Sequence, residues 1–179
     1  MDEVYEELAL EVSRRPRQSR FLIAIAAQLS QMPDPELAHK RRGAPFTFAP
    51  ELLASLVNRL KEQPSVITKA PSFNHALKDP KEDDITILPS HKIILFEGLY
   101  LQLSLPVWAD IAHAMDELWF LDCDVGVARE RVAQRHLASG LVSTVKAGYE
   151  RFDSNDGPNG EFILANSVKP TKVIKSINT

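Results

Sequence analysis

The sequence predicts an α/β protein in which helices cover a mostly parallel sheet. Short, continuous apolar runs, such as residues 20–26 and 93–96, are typical of strands that are covered on both faces. Segments with an apolar residue at every third or fourth position, such as residues 50–62, alternate with these runs. This alternation favours parallel pairing, because a crossover helix connects parallel neighbours. The length suits one domain with its own core, predicted over residues 1–179.

The N-terminal segment is predicted to be a helix that precedes the core. In residues 2–15 apolar side chains recur at every fourth position, with acidic residues at the start and arginines at the end. Pro16 ends this helix, because proline lacks the backbone N–H that a helix interior needs. We therefore assign an N-terminal helix to residues 1–18 and an α/β core to residues 20–177.

The same two patterns predict the remaining elements of the core. Besides residues 20–26, the predicted strands are 66–68, 85–88, 93–96, 118–121, 162–164 and 173–174. The predicted helices are 50–62, 106–115 and 125–138. The stretches 28–50 and 70–84 are rich in proline and charged residues and are predicted to be surface loops.

The charge balance and the cysteine content indicate which binding partners and which cellular compartment to expect. Lysine and arginine total 21 against 24 acidic residues, so the net charge is 21 − 24 = −3. Nucleic acids and anionic membranes usually bind proteins with excess positive charge, so neither partner is expected. No apolar run is long enough to span a membrane, and the acidic N-terminus is unlike a secretory signal. The single cysteine, Cys123, favours a reducing compartment, so a cytoplasmic protein is expected.

Four sequence stretches carry a resemblance to a known enzyme family. In chain order they are RRGAPFTF at 41–48, KAPSFNH at 69–75, ILFEGLYL at 94–101 and RERVAQRH at 129–136. A pattern of the form R…N-D-x-x-N follows, formed by Arg151, Asn155, Asp156 and Asn159. Together they resemble the uridine kinase and phosphoribulokinase family of P-loop kinases, in its branch of nucleoside, sugar and pantothenate-type kinases.

This resemblance implies a P-loop-kinase-like three-layer sandwich around a mostly parallel central sheet. It also implies a reaction, the transfer of the γ-phosphoryl group of ATP to a hydroxyl of a small-molecule acceptor, with Mg²⁺ as the second cofactor. The predicted helix at 125–138 corresponds to the arginine-rich lid of the family.

Three residues are candidates for the catalytic machinery. Glu97 ends the most apolar strand, where parallel α/β sheets bind their ligands, and the resemblance implies that it helps to hold Mg²⁺. Arg131 and Arg135 lie four residues apart on one helical face, and the resemblance implies that both bind the ATP phosphates during transfer. The alternatives are a carboxylate that caps a turn and a solvated basic helix face.

The resemblance also assigns substrate and nucleotide contacts. The residues assigned to the acceptor are Arg42, Gly43, Pro45, Phe73, His75, Tyr100 and Arg151. Those assigned to the nucleotide, besides the two lid arginines, are Asn155, Asp156 and Asn159. The alternatives are a loop that only turns the chain at 42–45, a structural histidine at position 75, and a local Asx-rich polar turn at 155–159.

The phosphate-binding loop of the family is missing from this sequence. The motif G-x-x-x-x-G-K-[ST] occurs nowhere in the chain, and neither a glycine nor a lysine precedes Lys40. The family's following segment, which supplies the catalytic base, is absent too. We therefore expect a shortened form, incomplete near the first strand, with impaired ATP binding.

Three interpretations of this shortened form remain open. The chain carries out the family's kinase reaction, or it is a non-catalytic relative that binds a small molecule or a protein. In a third interpretation it binds nucleotide through Glu97 and the lid arginines alone. A gap in the sheet would leave a strand edge exposed, which favours weak stability or a homodimer.

Overall fold

The computed structural model describes residues 33–74 and 79–176. The predicted helix at 2–15 and the predicted strand at 20–26 lie outside these residues. In chain order the helices are α1 (Pro35–Lys40), α2 (Pro50–Glu62), α3 (Trp108–Ala114), α4 (Val125–Ala138), α5 (Val145–Arg151) and α6 (Gly157–Asn166). A 3₁₀ turn spans Pro45–Thr47, and a π-helical turn spans Phe152–Asp156 between α5 and α6. The strands are β1 (Thr68–Asn74), β2 (Asp79–Ile87), β3 (Trp119–Asp122) and β4 (Lys172–Lys175).

Two long helices have the predicted bounds. Helix α2 begins at Pro50 and buries Leu53, Leu56, Val57 and Leu60 on one face, whereas Leu52, which belongs to the same apolar pattern, is exposed. Helix α4 covers 125–138, and the side chain of Asp124 caps it by accepting a hydrogen bond from the backbone N–H of Val127 at 3.0 Å. Helix α3 begins two residues later than predicted, because Val107 before it has a φ of 68° and cannot be helical.

The described strands form two separate pairs. Strands β1 and β2 are antiparallel, and β3 and β4 are parallel with Trp119 opposite Lys172. The predicted strand at 93–96 forms no ladder among the described residues. Within the described residues, β3 and β4 are therefore the part of the expected central sheet that pairs in parallel.

Further local predictions were wrong. Residues 70–84 were predicted as a loop but contribute most of the β1–β2 hairpin, where an edge strand tolerates proline. Residues 162–164 lie in α6 and not in a strand, because a three-residue apolar run fits either structure. Among the described residues of 28–50, α1 and the 3₁₀ turn replace the expected loop.

The core lies around α2. One cluster joins Leu53 and Val57 of α2 to Tyr100, Leu103, Trp108 and Ile111. A second cluster joins Leu56 and Leu60, on the same buried face of this helix, to Ala70 and Ile87 of the hairpin. Tyr100 is therefore fixed in the middle of the fold, next to the loop that precedes α2.

Candidate functional site

A continuous helical segment presents three of the predicted site residues in one row. Helices α5 and α6 and the π-helical turn between them run without interruption from Val145 to Asn166. Arg151, Asn155 and Asn159 follow at intervals of four, so they lie on one side of this segment. The polar turn predicted at 155–159 is therefore helical. Its π-helical geometry is common at functional sites.

The loop at 41–44 faces this row. Gly43 has a φ of +93°, a conformation that favours glycine, and its N–H donates to the hydroxyl of Thr47 at 3.2 Å. That hydroxyl in turn donates to the carbonyl of Ala44 at 2.7 Å. Ala44 and Thr47 are both buried. The loop is thus held by its own short-range bonds before it contacts the helix.

Three contacts join the loop to the helical segment. The side-chain amide of Asn155 donates to the backbone carbonyl of Arg42 at 3.0 Å, and the guanidinium of Arg41 donates to the carbonyl of Ser154 at 3.0 Å. A Cβ placed on Gly43 would lie 3.7 Å from Nδ2 of Asn159, so the two residues are close neighbours.

Tyr100 fixes the loop from the core side. Its side chain is 1% exposed, and its hydroxyl donates to the carbonyl of Gly43 at 2.5 Å. Burial raises its pKa to about 12, because the phenolate is poorly solvated inside the protein. Its ring packs edge-on against Phe48 and Trp108, with centroids 5.1 and 5.8 Å away.

These contacts define a loop–helix cluster. Its members are Arg41, Arg42, Gly43, Tyr100, Asn155 and Asn159, and Arg151 lies four residues before Asn155 on the same side of the helical segment. Two buried polar atoms next to it have no hydrogen-bond partner in the described part of the chain, Nε of Arg151 and Oδ1 of Asn155. Oγ1 of Thr68 and Oε1 of Gln102, outside the cluster, are likewise buried without a partner among the described residues.

The two lid arginines lie apart from this cluster. Nη1 of Arg131 donates to the hydroxyl of Ser176, just beyond β4, at 2.8 Å and lies 3.8 Å from the sulfur of Cys123. Arg135 is exposed one turn further along α4.

A third arginine of α4 fixes that helix against its neighbour. Arg129 donates two hydrogen bonds of 2.6 Å to Asp153 and stacks 4.3 Å from the ring centroid of Tyr149. These hydrogen bonds hold the pKa of Asp153 below its ordinary value. Helices α4 and α5 also approach closely at Gly148, where a Cβ would lie 2.8 Å from the carbonyl oxygen of Ala133.

The remaining predicted residues are dispersed. Asp156 pairs with His136 at 2.9 Å, and Pro45 opens the 3₁₀ turn behind the loop. Glu97 is exposed in an irregular segment. His75 lies outside the described residues, and Phe73 lies in β1.

The structure thus brings together three of the seven residues assigned to the acceptor, the backbone of Arg42, Gly43 and Tyr100, with Asn155 and Asn159 of the nucleotide set. Sequence reasoning gave no role to Arg41 or to His136. The side chain of Arg41 contacts the helix, whereas that of Arg42 is exposed. Both lie inside the stretches that carried the resemblance, but a motif does not reveal which of two adjacent arginines faces inward.

Comparisons with known proteins identify the relatives of this chain, although no family model matches it. It is 43% identical over 153 residues to the ATP-dependent kinase-like protein notR′ of Aspergillus versicolor, an alignment that covers 83% of this chain and 88% of notR′. It is 34% identical over 173 residues to the ATP-dependent kinase YFH7 of Saccharomyces cerevisiae, covering 79% of this chain and 49% of YFH7. A relative from Schizosaccharomyces pombe, described as a candidate uridine kinase, is 41% identical over 150 residues, covering 84% of this chain and 64% of that relative.

Solved structures agree with these relatives. The crystal structure of YFH7, described as a candidate P-loop-containing kinase with a circular permutation, superposes with a TM-score of 0.70 at 33% identity, covering 84% of this chain and 54% of that one. A structure from Silicibacter, described as a candidate fructose transport system kinase, superposes with a TM-score of 0.71 at 27% identity, covering 84% of this chain and 70% of that one. The chain belongs to the P-loop kinase-like family.

The residues of this P-loop kinase-like chain fit Mg-ATP only in part. The sequence contains no G-x-x-x-x-G-K-[ST] motif, whose amides and lysine hold the phosphates in P-loop proteins. Among residues 33–74 and 79–176, no group of three or more His, Cys, Asp and Glu side chains is arranged to hold a metal ion.

The helices described over the same residues are too short or too polar to cross a lipid bilayer.

Proposed function

We propose that this chain keeps the acceptor-binding side of a small-molecule kinase and has lost most of the phosphate-binding side. It binds a hydroxylated small molecule of the kind that uridine kinase and phosphoribulokinase relatives phosphorylate, a nucleoside, a sugar or a pantothenate-like compound. Phosphoryl transfer is weak or absent. The observation that carries this proposal is the loop–helix cluster.

The cluster supports binding because its polar groups are already held in place. Bonds from Tyr100, Asn155 and Arg41 fix the backbone of the loop from two sides. A site that is ordered before the ligand arrives loses little conformational entropy when it binds. Of the residues assigned to the acceptor, Gly43 and Tyr100 lie in this cluster, together with the backbone of Arg42.

The sequence supports weak catalysis. Phosphates are normally held by converging backbone amides in a glycine-rich loop, and no glycine precedes Gly43. The family segment that supplies the general base is also missing. A general base by itself accelerates a reaction roughly 10²–10⁴-fold. The exposed Glu97 and the two lid arginines do not replace these groups.

The family's complete kinase reaction is the second candidate. It is favoured by the relatives described as ATP-dependent kinases and by the pair Arg131 and Arg135, which lie on one face of α4. In that case Glu97 and the lid arginines bind Mg-ATP, and the loop–helix cluster binds the acceptor.

Calorimetry and a coupled assay for ADP release separate the two candidates. The purified chain is titrated with uridine, fructose and pantothenate, and separately with Mg-ATP. We expect at least one acceptor to bind, with affinity lowered in Asn155→Ala, and no metal-dependent ADP release. Acceptor-stimulated ATP consumption that is lost in the Arg131→Gln/Arg135→Gln double variant would establish the second candidate instead.

A further inference from the structure

One side of the π-helical turn at 152–156 is bonded to helix α4. Asp153 accepts two hydrogen bonds of 2.6 Å from the guanidinium of Arg129. Asp156, three residues later, pairs with the imidazole of His136 at 2.9 Å, and the side chain of this histidine is largely buried. Residues three apart are neighbours on the surface of a helical segment, so both carboxylates can reach the same partner helix.

The other side of the same turn is bonded to the loop at 41–44. The backbone carbonyl of Ser154 accepts a hydrogen bond of 3.0 Å from the guanidinium of Arg41. The side-chain amide of Asn155, which is 4% exposed, donates to the backbone carbonyl of Arg42 at 3.0 Å. The two residues that bond to the loop therefore lie between the two that bond to α4, within four consecutive positions.

The turn is short and firmly held, so it cannot easily adjust on one side alone. Phe152 at its start is buried, and its carbonyl accepts the i→i+5 hydrogen bond from the N–H of Gly157 that is typical of a π-helix. A Cβ placed on Gly157 would lie 3.3 Å from both the ring and the carbonyl oxygen of Phe152, so little free space surrounds this bond. Closely packed segments resist gradual deformation, so a shift of Asp153 or Asp156 is expected to move Asn155 as well.

We propose that the π-helical turn is a conformational link through which the position of α4 controls the order of the loop at 41–44. While α4 keeps its bonds to Asp153 and Asp156, the turn holds Asn155 against the loop. When α4 moves away, the loop loosens. Coupling between two sites is reciprocal, so a ligand that orders the loop also strengthens the attachment of α4. The link joins the predicted lid helix to the loop–helix cluster, and it does not depend on which ligand the chain binds.

Amide hydrogen exchange in the unliganded chain tests the link. Arg129→Ala removes both hydrogen bonds to Asp153 and leaves every residue of the turn and the loop in place. We expect exchange at the amides of Gly43 and Ala44, which bond within the loop, to become about twofold or more faster, as the loss of an exposed ion pair allows. Exchange in the middle of α2 should stay unchanged.

Two comparisons assign the effect to the turn. Lys146→Ala breaks the exposed Lys146–Glu150 pair of 3.9 Å, which lies on the same helical segment but not against α4, and should leave the loop unchanged. In the Asn155→Ala background, Arg129→Ala should have a much smaller effect on the loop, because the side-chain bond that transmits it is already gone. The Nε–Hε signal of Arg129 in the ¹H–¹⁵N spectrum should in turn shift in Asn155→Ala.

Three results would overturn the link. One is a loop that exchanges at the same rate in Arg129→Ala and in the wild type. Another is acceleration of equal size in the loop and in α2, since that would be destabilisation of the whole chain. The third is an effect of Arg129→Ala that is as large in the Asn155→Ala background as in the wild type. If Arg129→Ala does not fold, which circular dichroism shows, Arg129→Lys keeps the charge without the two-pronged bond and replaces it in each comparison.

Discussion

The loop–helix cluster and the lid side of α4 are built in opposite ways. In the cluster, Tyr100, Asn155 and Asn159 are buried, and two of them bond to a loop far away in sequence. On the lid side, Arg131 and Arg135 are exposed. Nearby, β3 and β4 leave Leu121 and Val173 more than half exposed.

This difference indicates which region contributes more to the free energy of unfolding. Buried hydrogen bonds and close ring contacts stabilise a fold far more than exposed ion pairs do. The cluster is therefore both a candidate binding site and part of the structural core, whereas the lid side is free to change without unfolding the domain. Substitutions on the two sides should differ accordingly.

The largest effect is expected at Tyr100. Tyr100→Ala removes a buried ring between Phe48 and Trp108, and the free energy of unfolding should fall by about 3–5 kcal/mol. Tyr100→Phe keeps the ring and should cost about 1 kcal/mol for the lost bond to Gly43. Urea denaturation of the three proteins measures both values. If the two variants unfold at the same midpoint, Tyr100 does not act through its ring.

A smaller loss is expected where α4 and α5 touch. Gly148→Val should destabilise the chain by about 1–3 kcal/mol, because even its Cβ would overlap the backbone of Ala133. Gly160→Ala is the matched control, since a Cβ there meets no atom within 4 Å. Thermal unfolding should show a lower midpoint for the first variant and an unchanged or higher one for the second.

Asn155→Ala tests the bond between helix and loop. It leaves the carbonyl of Arg42 without its donor, so unfolding should become easier by about 1–2 kcal/mol. Hydrogen exchange should speed up at the amides of Gly43 and Ala44 more than in α2. Uniform acceleration across the chain would mean that Asn155 does not hold the loop specifically.

Alkaline pH gives a test that depends on the buried phenol. The pKa of Tyr100 is raised to about 12 in the folded chain, above the ordinary value of 10.0 in the unfolded chain. The unfolded chain therefore loses this proton first, and stability falls as pH rises between these two values. Tyr100→Phe should show a shallower decline over the same range by urea denaturation. Parallel curves for the two proteins would contradict the assigned shift.

The smallest effect is expected on the lid side. Arg135→Gln changes an exposed residue of α4 and should alter the free energy of unfolding by less than about 0.5 kcal/mol. Acceptor binding should be unchanged, in contrast with Asn155→Ala. If Arg135→Gln lowered the free energy of unfolding or acceptor binding as much as Asn155→Ala does, the two sides would not differ.

The accuracy of sequence-based prediction also differed between regions. Helices α2 and α4 were predicted with their bounds, because the spacing of apolar residues along a helix is a local signal. The hairpin at 68–87 was partly missed, since its prolines resemble those of a loop. The roles of the individual site residues remain predictions.

The sequence by itself determined the alternation of helices and strands, the resemblance to P-loop kinases and the absence of a phosphate-binding motif, since all three are patterns of neighbouring residues. Only the tertiary structure decided that the loop at 41–43 meets the helix at 151–159. The bond between Asn155 and Arg42 joins residues 113 positions apart. Local periodicity predicts which face of an element is buried, but which distant segment covers that face depends on how the whole chain packs.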